Sequence, residues 1–132
     1  GEGNILVVDS GKDRIQKFTG KGTFLKTIGS SGKEILQFNS PVGIRVNTSS
    51  EVYVCDRKNH RIQVLDCNLS FLRMFGRCGP RDGEFAFPRD VAFDSFQKVY
   101  VVDSGNHRIQ VFMPDGTFLW KFGCEGEGSG QF

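Results

Sequence analysis

Three stretches of the chain repeat one pattern: DSGKDRIQKF at residues 9–18, DRKNHRIQVL at 56–65 and DSGNHRIQVF at 103–112. Each begins with aspartate, reaches Arg-Ile-Gln five residues later and ends on an apolar residue. Successive aspartates are 47 residues apart in both intervals. A fixed period of this length is typical of a protein built from structural repeats.

The periodicity extends well beyond these stretches. An apolar run precedes each aspartate, and an outer Phe-Leu pair, a glycine after an apolar residue and a Gln/Glu-Phe pair follow it at matching offsets. Pro41 and Pro88 are also 47 residues apart. The spacing between equivalent residues stays at 47 throughout, so no insertion separates the copies.

Each repeat predicts four antiparallel strands and no helix. The apolar runs 5–8, 52–55 and 99–102 predict strands that are covered on both faces. Polar turns lead into the Arg-Ile-Gln strands, and tight turns such as Met-Pro-Asp-Gly at 113–116 lead into outer strands at 23–28, 70–75 and 117–122. A glycine-rich connection and a proline then introduce a further strand, at 42–46 and 90–93.

Four-stranded units of this length predict an all-β propeller, because stacked blades bury the two apolar faces that a lone sheet would expose. We expect one propeller region over residues 1–132, with blades at about 1–29 (incomplete, three strands), 42–76 and 89–123. Three blades are fewer than a closed propeller needs. The chain is therefore expected to be part of a larger propeller, or half of a six-bladed ring formed when two copies pair through their open blade faces.

Composition narrows the class of protein. The 132 residues carry a net charge of +2, which is too small to predict nucleic-acid binding by itself. No apolar stretch is long enough to span a membrane. The four cysteines lack zinc-site spacing, and Cys55 replaces a valine of the other repeats, which predicts reduced thiols in a cytoplasmic protein.

The repeated words resemble NHL repeats, above all Asp-x-x-Asn-His-Arg-Ile-Gln-Val-Phe followed by Gly-Thr-Phe-Leu and Phe-Gly. The copy at 103–112 fits almost letter for letter, whereas the first copy has Lys12-Asp13 in place of Asn-His. The resemblance implies a propeller, usually six-bladed. The spacing looks most like the C-terminal NHL domain of tripartite-motif (TRIM) ubiquitin ligases, which bind protein or RNA partners.

The resemblance therefore implies a non-catalytic binding module without a cofactor. The leading expectation is partner recruitment for a TRIM-type ligase by protein–protein contact, with ubiquitin transfer carried out by domains outside this chain. Binding of single-stranded RNA is the alternative. A metal-dependent enzyme of the amidating-lyase type, which has related blades, is a distant third.

One aspartate and one arginine recur in every repeat, and this symmetry favours a structural role over a binding site. We expect each aspartate to cap its own turn and each arginine to pair with a nearby carboxylate. The residues concerned are Asp9, Arg14, Asp56, Arg61, Asp103 and Arg108.

Residues that break the symmetry are better candidates for function. Several are basic and lie in turns and connections expected on one face of the propeller, where they could meet an RNA or a protein partner. Acidic residues in the same loops, Asp82, Glu84 and Asp90, allow the plainer interpretation of a solvated rim. The candidate partner-binding residues are Lys12, Arg57, Lys58, His60, Arg77, Arg81, Arg89 and His107.

The two histidines occupy one repeat position, and a propeller axis could gather such side chains around a metal. Asp13 fills that position in the first repeat, and the sequence has no carboxylate–histidine cluster beside it. We therefore predict no metal site and no catalytic residue.

Overall fold

The computed structural model describes residues 3–123, whose longer strands form three antiparallel sheets in chain order. The strands are β1 Ile5–Asp9, β2 Arg14–Phe18, β3 Phe24–Ile28, β4 Ser30–Ser31, β5 Gln37–Phe38, β6 Gly43–Val46, β7 Val52–Asp56, β8 Arg61–Leu65, β9 Phe71–Phe75, β10 Pro88–Phe93, β11 Val99–Asp103, β12 Arg108–Phe112 and β13 Phe118–Phe122. Blade 1 contains β1–β3, blade 2 contains β6–β9 and blade 3 contains β10–β13. The predicted all-β class with four-stranded antiparallel sheets is confirmed.

The two strand pairings that all three blades share have the same register in each blade. In each blade the aspartate that ends one strand lies opposite the arginine that begins the next, as Asp56 does opposite Arg61. Each blade also has a bulge at the same place, where its Arg-Ile-Gln strand pairs with its outer strand. The connection between blades 1 and 2 adds the short parallel pair β4 and β5.

The turn after each aspartate ends in a left-handed residue. In blades 2 and 3 the turn is a single 3-10 turn, and His60 and His107 follow it with φ of 54° and 53°. Asp13 has φ of 54° at the same position of blade 1. Among residues with a side chain, Asn, Asp and His adopt this conformation most readily. The backbone therefore explains why one repeat position holds either histidine or aspartate.

The strand after Pro88 begins earlier than predicted. It covers Pro88–Phe93 rather than 90–93, and its register shifts between Pro88 and Asp90. Proline is tolerated at the first residue of a strand because no ladder hydrogen bond from its nitrogen is needed there.

Two apolar cores hold the blades together. One lies between blades 1 and 2 and includes Ile15, Phe38 and Val54. The other lies between blades 2 and 3 and includes Phe85 and Val101. Strands β6 and β10 also approach each other closely. A Cβ added to Gly43 would lie only 2.6 Å from the backbone oxygen of Arg89, so this position requires glycine.

The prediction that residues 5–8 are covered on both faces is wrong for blade 1. Ile5 and Val7 are 46% and 42% exposed, whereas Val52 and Val54 at the same positions of blade 2 are 2% and 0% exposed. The apolar run has the composition of a covered strand. Within residues 3–123, however, no blade lies against this side of blade 1. The predicted last connection, residues 124–132, lies outside the described residues.

Cys55 gives a direct test of the core. Its side chain is fully buried, and burial raises the pKa of its thiol, while Cys67 and Cys78 are exposed. Because the thiolate is the reactive form, we expect iodoacetamide to modify Cys55 at least about 100-fold more slowly than Cys67 and Cys78 in the folded protein. Peptide mass mapping after timed alkylation measures this difference. Equal rates for the three thiols would contradict the buried position.

Candidate functional site

Each recurring aspartate is the centre of a hydrogen-bond cluster. In blade 2, Asp56 is fully buried and its Oδ2 accepts from Nε of Arg61 at 2.7 Å and from Nε2 of Gln63 at 3.2 Å. Its Oδ1 accepts from the backbone N–H of Asn39 at 2.8 Å. We call this aspartate, arginine and glutamine the clamp of their blade. The first clamp is Asp9, Arg14 and Gln16, the second is Asp56, Arg61 and Gln63, and the third is Asp103, Arg108 and Gln110.

The second clamp holds the connection that arrives from blade 1. Arg61 donates to the backbone oxygens of Lys33 at 2.7 Å, Glu34 at 3.0 Å and Gln37 at 2.9 Å. Gln63 donates to that same oxygen of Gln37 at 2.7 Å. The buried Arg61 guanidinium is therefore paired with one carboxylate and hydrogen-bonded to backbone carbonyls of the preceding connection. A buried ion pair needs such additional hydrogen bonds to offset its loss of hydration.

The third clamp repeats these contacts between blades 2 and 3. Arg108 pairs with Asp103 at 2.8 Å and donates to the backbone oxygens of Arg81 at 2.7 Å and Glu84 at 2.9 Å. Gln110 donates to that oxygen of Glu84 at 2.6 Å. The clamps are thus the joints between successive blades.

The aspartates act differently from the capping role that we expected. Neither Asp56 nor Asp103 caps a backbone N–H of its own turn, although each accepts from the side-chain amide of the asparagine there, Asn59 or Asn106. The backbone N–H that each accepts from belongs to the preceding connection, at Asn39 or Ala86. Local turn chemistry does not pair two residues that lie 17 positions apart, so this contact could not be predicted from the repeat pattern.

The turns after the aspartates and the connections between blades lie at one edge of the sheets, which we call the upper edge. Lys12 and Lys58 are exposed in these turns, and Arg77 and Arg81 are exposed in the connection from blade 2 to blade 3. Arg89 is the second residue of β10 and is also exposed. The upper edge therefore carries the basic residues expected there, although they do not form one cluster.

A groove of about 510 Å³ lies between blades 2 and 3 at the upper edge. It is lined by Val42, Arg57, Phe87, Arg89 and Ser104, and we call it the Phe87 groove. A neighbouring cavity of about 250 Å³ includes Arg89 and His107. Another, of about 530 Å³, includes Lys58, His60 and Arg77. The structure thus brings together two subsets of the candidates and leaves Lys12 and Arg81 outside these cavities.

Phe87 is the site residue that the sequence interpretation missed. Its ring is 43% exposed and its backbone is left-handed, with φ of 55°. The equivalent residue of the preceding repeat is Ser40, so Phe87 also breaks the symmetry between repeats. This difference is the sequence signal that identifies it once apolar residues are compared as well as basic ones. An exposed phenylalanine beside arginines has the composition of a recognition surface.

Two hydrogen bonds fix Phe87 in place. Its backbone N–H donates to Nδ1 of His60 at 3.0 Å, and its backbone oxygen accepts from Oγ of Ser104 at 2.6 Å. The rings of His60 and Phe87 also meet edge to face, with their centroids 4.6 Å apart. His60 is therefore a positioning residue for Phe87, and its Nδ1 is occupied by this contact.

The nearby acidic residues are engaged by other basic residues. Glu84 pairs with Arg77 at 2.9 Å, Asp90 with Arg45 at 3.1 Å and Asp82 with Lys121 at 2.6 Å. The backbone N–H of Arg81 and the guanidinium of Arg77 lower the pKa of the Glu84 carboxyl, which keeps it ionised for its pairing. Each of these three carboxylates is thus paired with a basic residue other than Arg57 or Arg89.

The two arginines of the Phe87 groove keep their charge available. Within the described part of the chain, neither Arg57 nor Arg89 takes part in an ion pair. Nε of Arg57 is buried there and has no hydrogen-bond partner.

The geometry provides no set of metal ligands at the upper edge. In residues 3–123, no group of three or more His, Cys, Asp or Glu side chains could hold a metal ion. In the same residues, no helix is long and apolar enough to cross a bilayer.

The comparison with known families identifies the repeated unit. Residues 38–65 and 85–112 match the NHL repeat. These two segments are therefore NHL repeats. Each matched segment begins at the buried phenylalanine of a connection and ends with the Arg-Ile-Gln strand, so it contains one clamp with part of the connection that the clamp holds. A search of curated proteins found no match to the chain.

Solved structures show that these NHL blades have the arrangement of a β-propeller. A streptogramin B lyase superposes with a TM-score of 0.67 at 16% identity, over 89% of this chain and 39% of that one. An inactive variant of virginiamycin B lyase from Staphylococcus aureus, solved with quinupristin, gives 0.70 at 16% identity, over 92% and 38%. Hydrazine synthase from Kuenenia stuttgartiensis gives 0.73 at 11% identity, over 95% and 33%.

At these identities the likeness concerns the fold alone. The chain spans between a third and two fifths of the length of these structures. Together with the NHL repeats, this confirms the predicted partial β-propeller.

Proposed function

We propose that this NHL propeller segment is a non-catalytic binding module whose Phe87 groove contacts a protein partner. The observation that carries the proposal is an exposed phenylalanine, held on a fixed backbone, between Arg57 and Arg89. Aromatic residues and arginine dominate the binding energy of protein interfaces. A rigid ring loses little conformational entropy when it is covered, which favours tight binding.

The setting of this module is part of the proposal. The resemblance to TRIM proteins suggests the partner-recruiting domain of an E3 ubiquitin ligase, in which other domains transfer ubiquitin. The free thiols of Cys55, Cys67 and Cys78 suit the reducing cytoplasm. A lyase activity remains a distant third candidate, supported by the fold of two structural neighbours alone.

Single-stranded RNA is the second candidate ligand. Phe87 offers a ring for stacking, and Arg57 and Arg89 offer charges for phosphates. Protein recruitment is favoured because the groove also includes Val42, because only two arginines line it, and because the net charge of the chain is only +2. RNA-binding faces usually carry a larger excess of positive charge.

The charge reversal Arg89→Glu tests this assignment. We expect it to weaken a protein partner by about 30-fold, the effect of losing about 2 kcal/mol at a central interface residue. Partners are first captured by proximity labelling with the chain in cells and are then titrated, as purified proteins, by calorimetry. Lys21→Glu is the matched control, because it makes the same charge change at an exposed turn on the opposite edge.

A parallel titration separates the two ligand classes. The binding of a random single-stranded RNA pool is measured by fluorescence anisotropy across a salt series. We expect no RNA binding that depends on the groove, so Arg89→Glu and Lys21→Glu should give the same anisotropy curves. If such binding appears and weakens steeply with salt, the groove is an RNA site instead. If purified partners bind the wild type and Arg89→Glu equally, the Phe87 groove is not their docking surface.

A further inference from the structure

The cavity of about 530 Å³ at the upper edge has an apolar floor and a cationic rim, and we call it the Met74 pocket. Its lining includes Lys33 from the connection between blades 1 and 2, Lys58 from the upper turn of blade 2 and Met74 from β9. All of its lining residues lie between positions 33 and 78, and the structure describes a blade on either side of them. The pocket therefore belongs to an internal joint of the propeller.

The side chains that give this pocket its character are particular to blade 2. Lys33, Lys58 and Met74 are replaced, 47 residues later in the chain, by Pro80, Gly105 and Lys121. Residues that recur in every blade, such as those of the clamps, build the fold, whereas a binding site is added to the fold by particular residues. The Met74 pocket has the second kind of residue.

An apolar surface replaces an ion pair in this joint. Between blades 2 and 3, Lys121 of the outer strand pairs with Asp82 of the connection at 2.6 Å. The equivalent residues between blades 1 and 2 are Met74 and Ile35, which are 44% and 52% exposed. Apolar surface with a polar rim is typical of an interaction site. The exchange therefore favours a ligand that brings an apolar group.

Met74 is held in the pocket by the second clamp. Its Sδ accepts from Nη1 of Arg61 at 3.6 Å, and Arg61 is itself fixed by Asp56 and by the backbone oxygen of Lys33. The thioether of methionine packs well against apolar groups of different shapes. The pocket thus has an anchored floor that can receive more than one kind of apolar side chain.

The rim of the pocket carries positive charge without counter-ions. Within residues 3–123, neither Lys33 nor Lys58 takes part in an ion pair. None of the described residues that line the pocket is acidic, since Glu34 follows Lys33 but is not a lining residue. Arg77 adds a third cation at the rim, where it pairs with Glu84 at 2.9 Å. Such a rim attracts anionic groups.

We propose that the Met74 pocket binds an acidic segment of a partner protein. An apolar side chain of that segment would cover Met74 and Ile35, and carboxylates on either side of it would lie beside Lys33 and Lys58. Complementary charges of this kind steer a partner to its site and fix its register there.

The pocket fits a protein segment better than RNA. Bases of single-stranded RNA are bound by stacking on aromatic rings or on arginine planes. Of the described residues that line the pocket, only His60 has an aromatic ring, and that ring already packs edge to face on Phe87. The guanidinium of Arg61, which also lines the pocket, is occupied by the second clamp.

The proposal goes beyond the function proposed for the Phe87 groove and does not depend on it. The two sites adjoin at the contact between His60 and Phe87, and no described residue lines both. The charges of each site can therefore be reversed without changing those of the other.

Peptide display tests the proposal without assuming the sequence of the ligand. A phage library of random dodecapeptides is first depleted on the Lys33→Glu/Lys58→Glu double variant and is then captured on the wild-type chain. We expect the captured peptides to be acidic and to carry an apolar residue with Asp or Glu on both sides of it.

The captured peptides are then synthesised with a fluorophore and titrated by anisotropy. Lys33→Glu and Met74→Gln should each weaken binding by about 10-fold or more, because the first repels carboxylates and the second removes the apolar floor. Binding to the wild type should also weaken as salt is added. Lys21→Glu makes the same charge change at the opposite edge and should bind the peptides as the wild type does.

Thermal melts followed by circular dichroism show whether each variant is folded. The side chains of Lys33 and Lys58 are exposed, so reversing their charge should leave the melting temperature unchanged. The proposal is overturned if no peptide is captured, if the captured peptides lack acidic residues, or if folded Lys33→Glu and Met74→Gln bind them as tightly as the wild type.

Two further titrations identify a different site or ligand. Peptides that bind Lys33→Glu fully but lose affinity for Arg89→Glu occupy the Phe87 groove, which overturns this proposal and leaves the proposed function standing. A random single-stranded RNA pool that binds the wild type but not Lys33→Glu would make the pocket an RNA site instead. Peptides that lose affinity for Lys33→Glu and keep it for Arg89→Glu support the proposal.

Discussion

Replacing Asp56 with alanine is expected to lower the free energy of unfolding by about 3–5 kcal/mol, the usual cost of removing one partner from a buried ion pair. Asp56 is fully buried and accepts hydrogen bonds from Arg61, Gln63 and Asn59 and from the backbone of Asn39. Without the carboxylate, the Arg61 guanidinium would remain buried without its counter-ion. Equilibrium urea unfolding, followed by circular dichroism, measures the loss.

Asp9→Ala is the matched control, because the repeat places the same residue in the first clamp, which holds no connection within residues 3–123. The pair of Asp9 and Arg14 is about one third exposed, and such pairs contribute about 0–1 kcal/mol. The two substitutions should therefore differ by at least about 2 kcal/mol. Equal losses for Asp9→Ala and Asp56→Ala would show that the clamp does not depend on its connection.

Phe85→Ala is expected to cost about 3–5 kcal/mol, the range for a fully buried aromatic side chain. Phe85 comes from the connection and packs between blades, with its ring centroid 6.3 Å from that of Phe75 and 5.5 Å from that of Phe112. A Cβ on Gly76 would collide with its ring, so the space is closely filled. Alanine would leave a cavity that the rigid sheets on either side cannot close.

Phe96→Ala provides the comparison for this prediction. Phe96 is 79% exposed in the turn before β11, so its loss should change the free energy of unfolding by no more than about 0.5 kcal/mol. Chemical denaturation of both variants under the same conditions gives the two values. A Phe85→Ala variant as stable as Phe96→Ala would mean that the connection does not anchor the blades.

The parts of the fold that could be predicted are those that repeat. Alternation within a strand is ambiguous over five residues, but the same pattern seen three times at a spacing of 47 is not. The strands, the turns and the pairing of Asp103 with Arg108 follow from local patterns of this kind. The exposed face of blade 1 could not follow, because an apolar strand has the same composition whether or not a neighbour covers it.

The clamps and the groove show what local patterns leave out. Arg61 and Gln63 bind backbone oxygens that lie 24 to 28 residues earlier in the chain. Every residue has the same backbone oxygen, so the side chains of Lys33 and Glu34 do not reveal that their oxygens accept from Arg61. Phe87 departs from the repeat, but its role depends on His60 and Ser104, which only the fold brings to it.

The hydrogen bonds from the clamps to backbone oxygens leave the side chains of the connections free to vary. Because the second and third clamps bind the main chain, residues 33–35 and 80–82 can change their side chains without loosening the joint between blades: one connection reads Lys-Glu-Ile and the other Pro-Arg-Asp. Loops held by a rigid scaffold are where proteins vary their recognition surfaces. New binding preferences can therefore arise at the upper edge by single substitutions that have little effect on stability, so related propellers can acquire different partners while keeping the same joints.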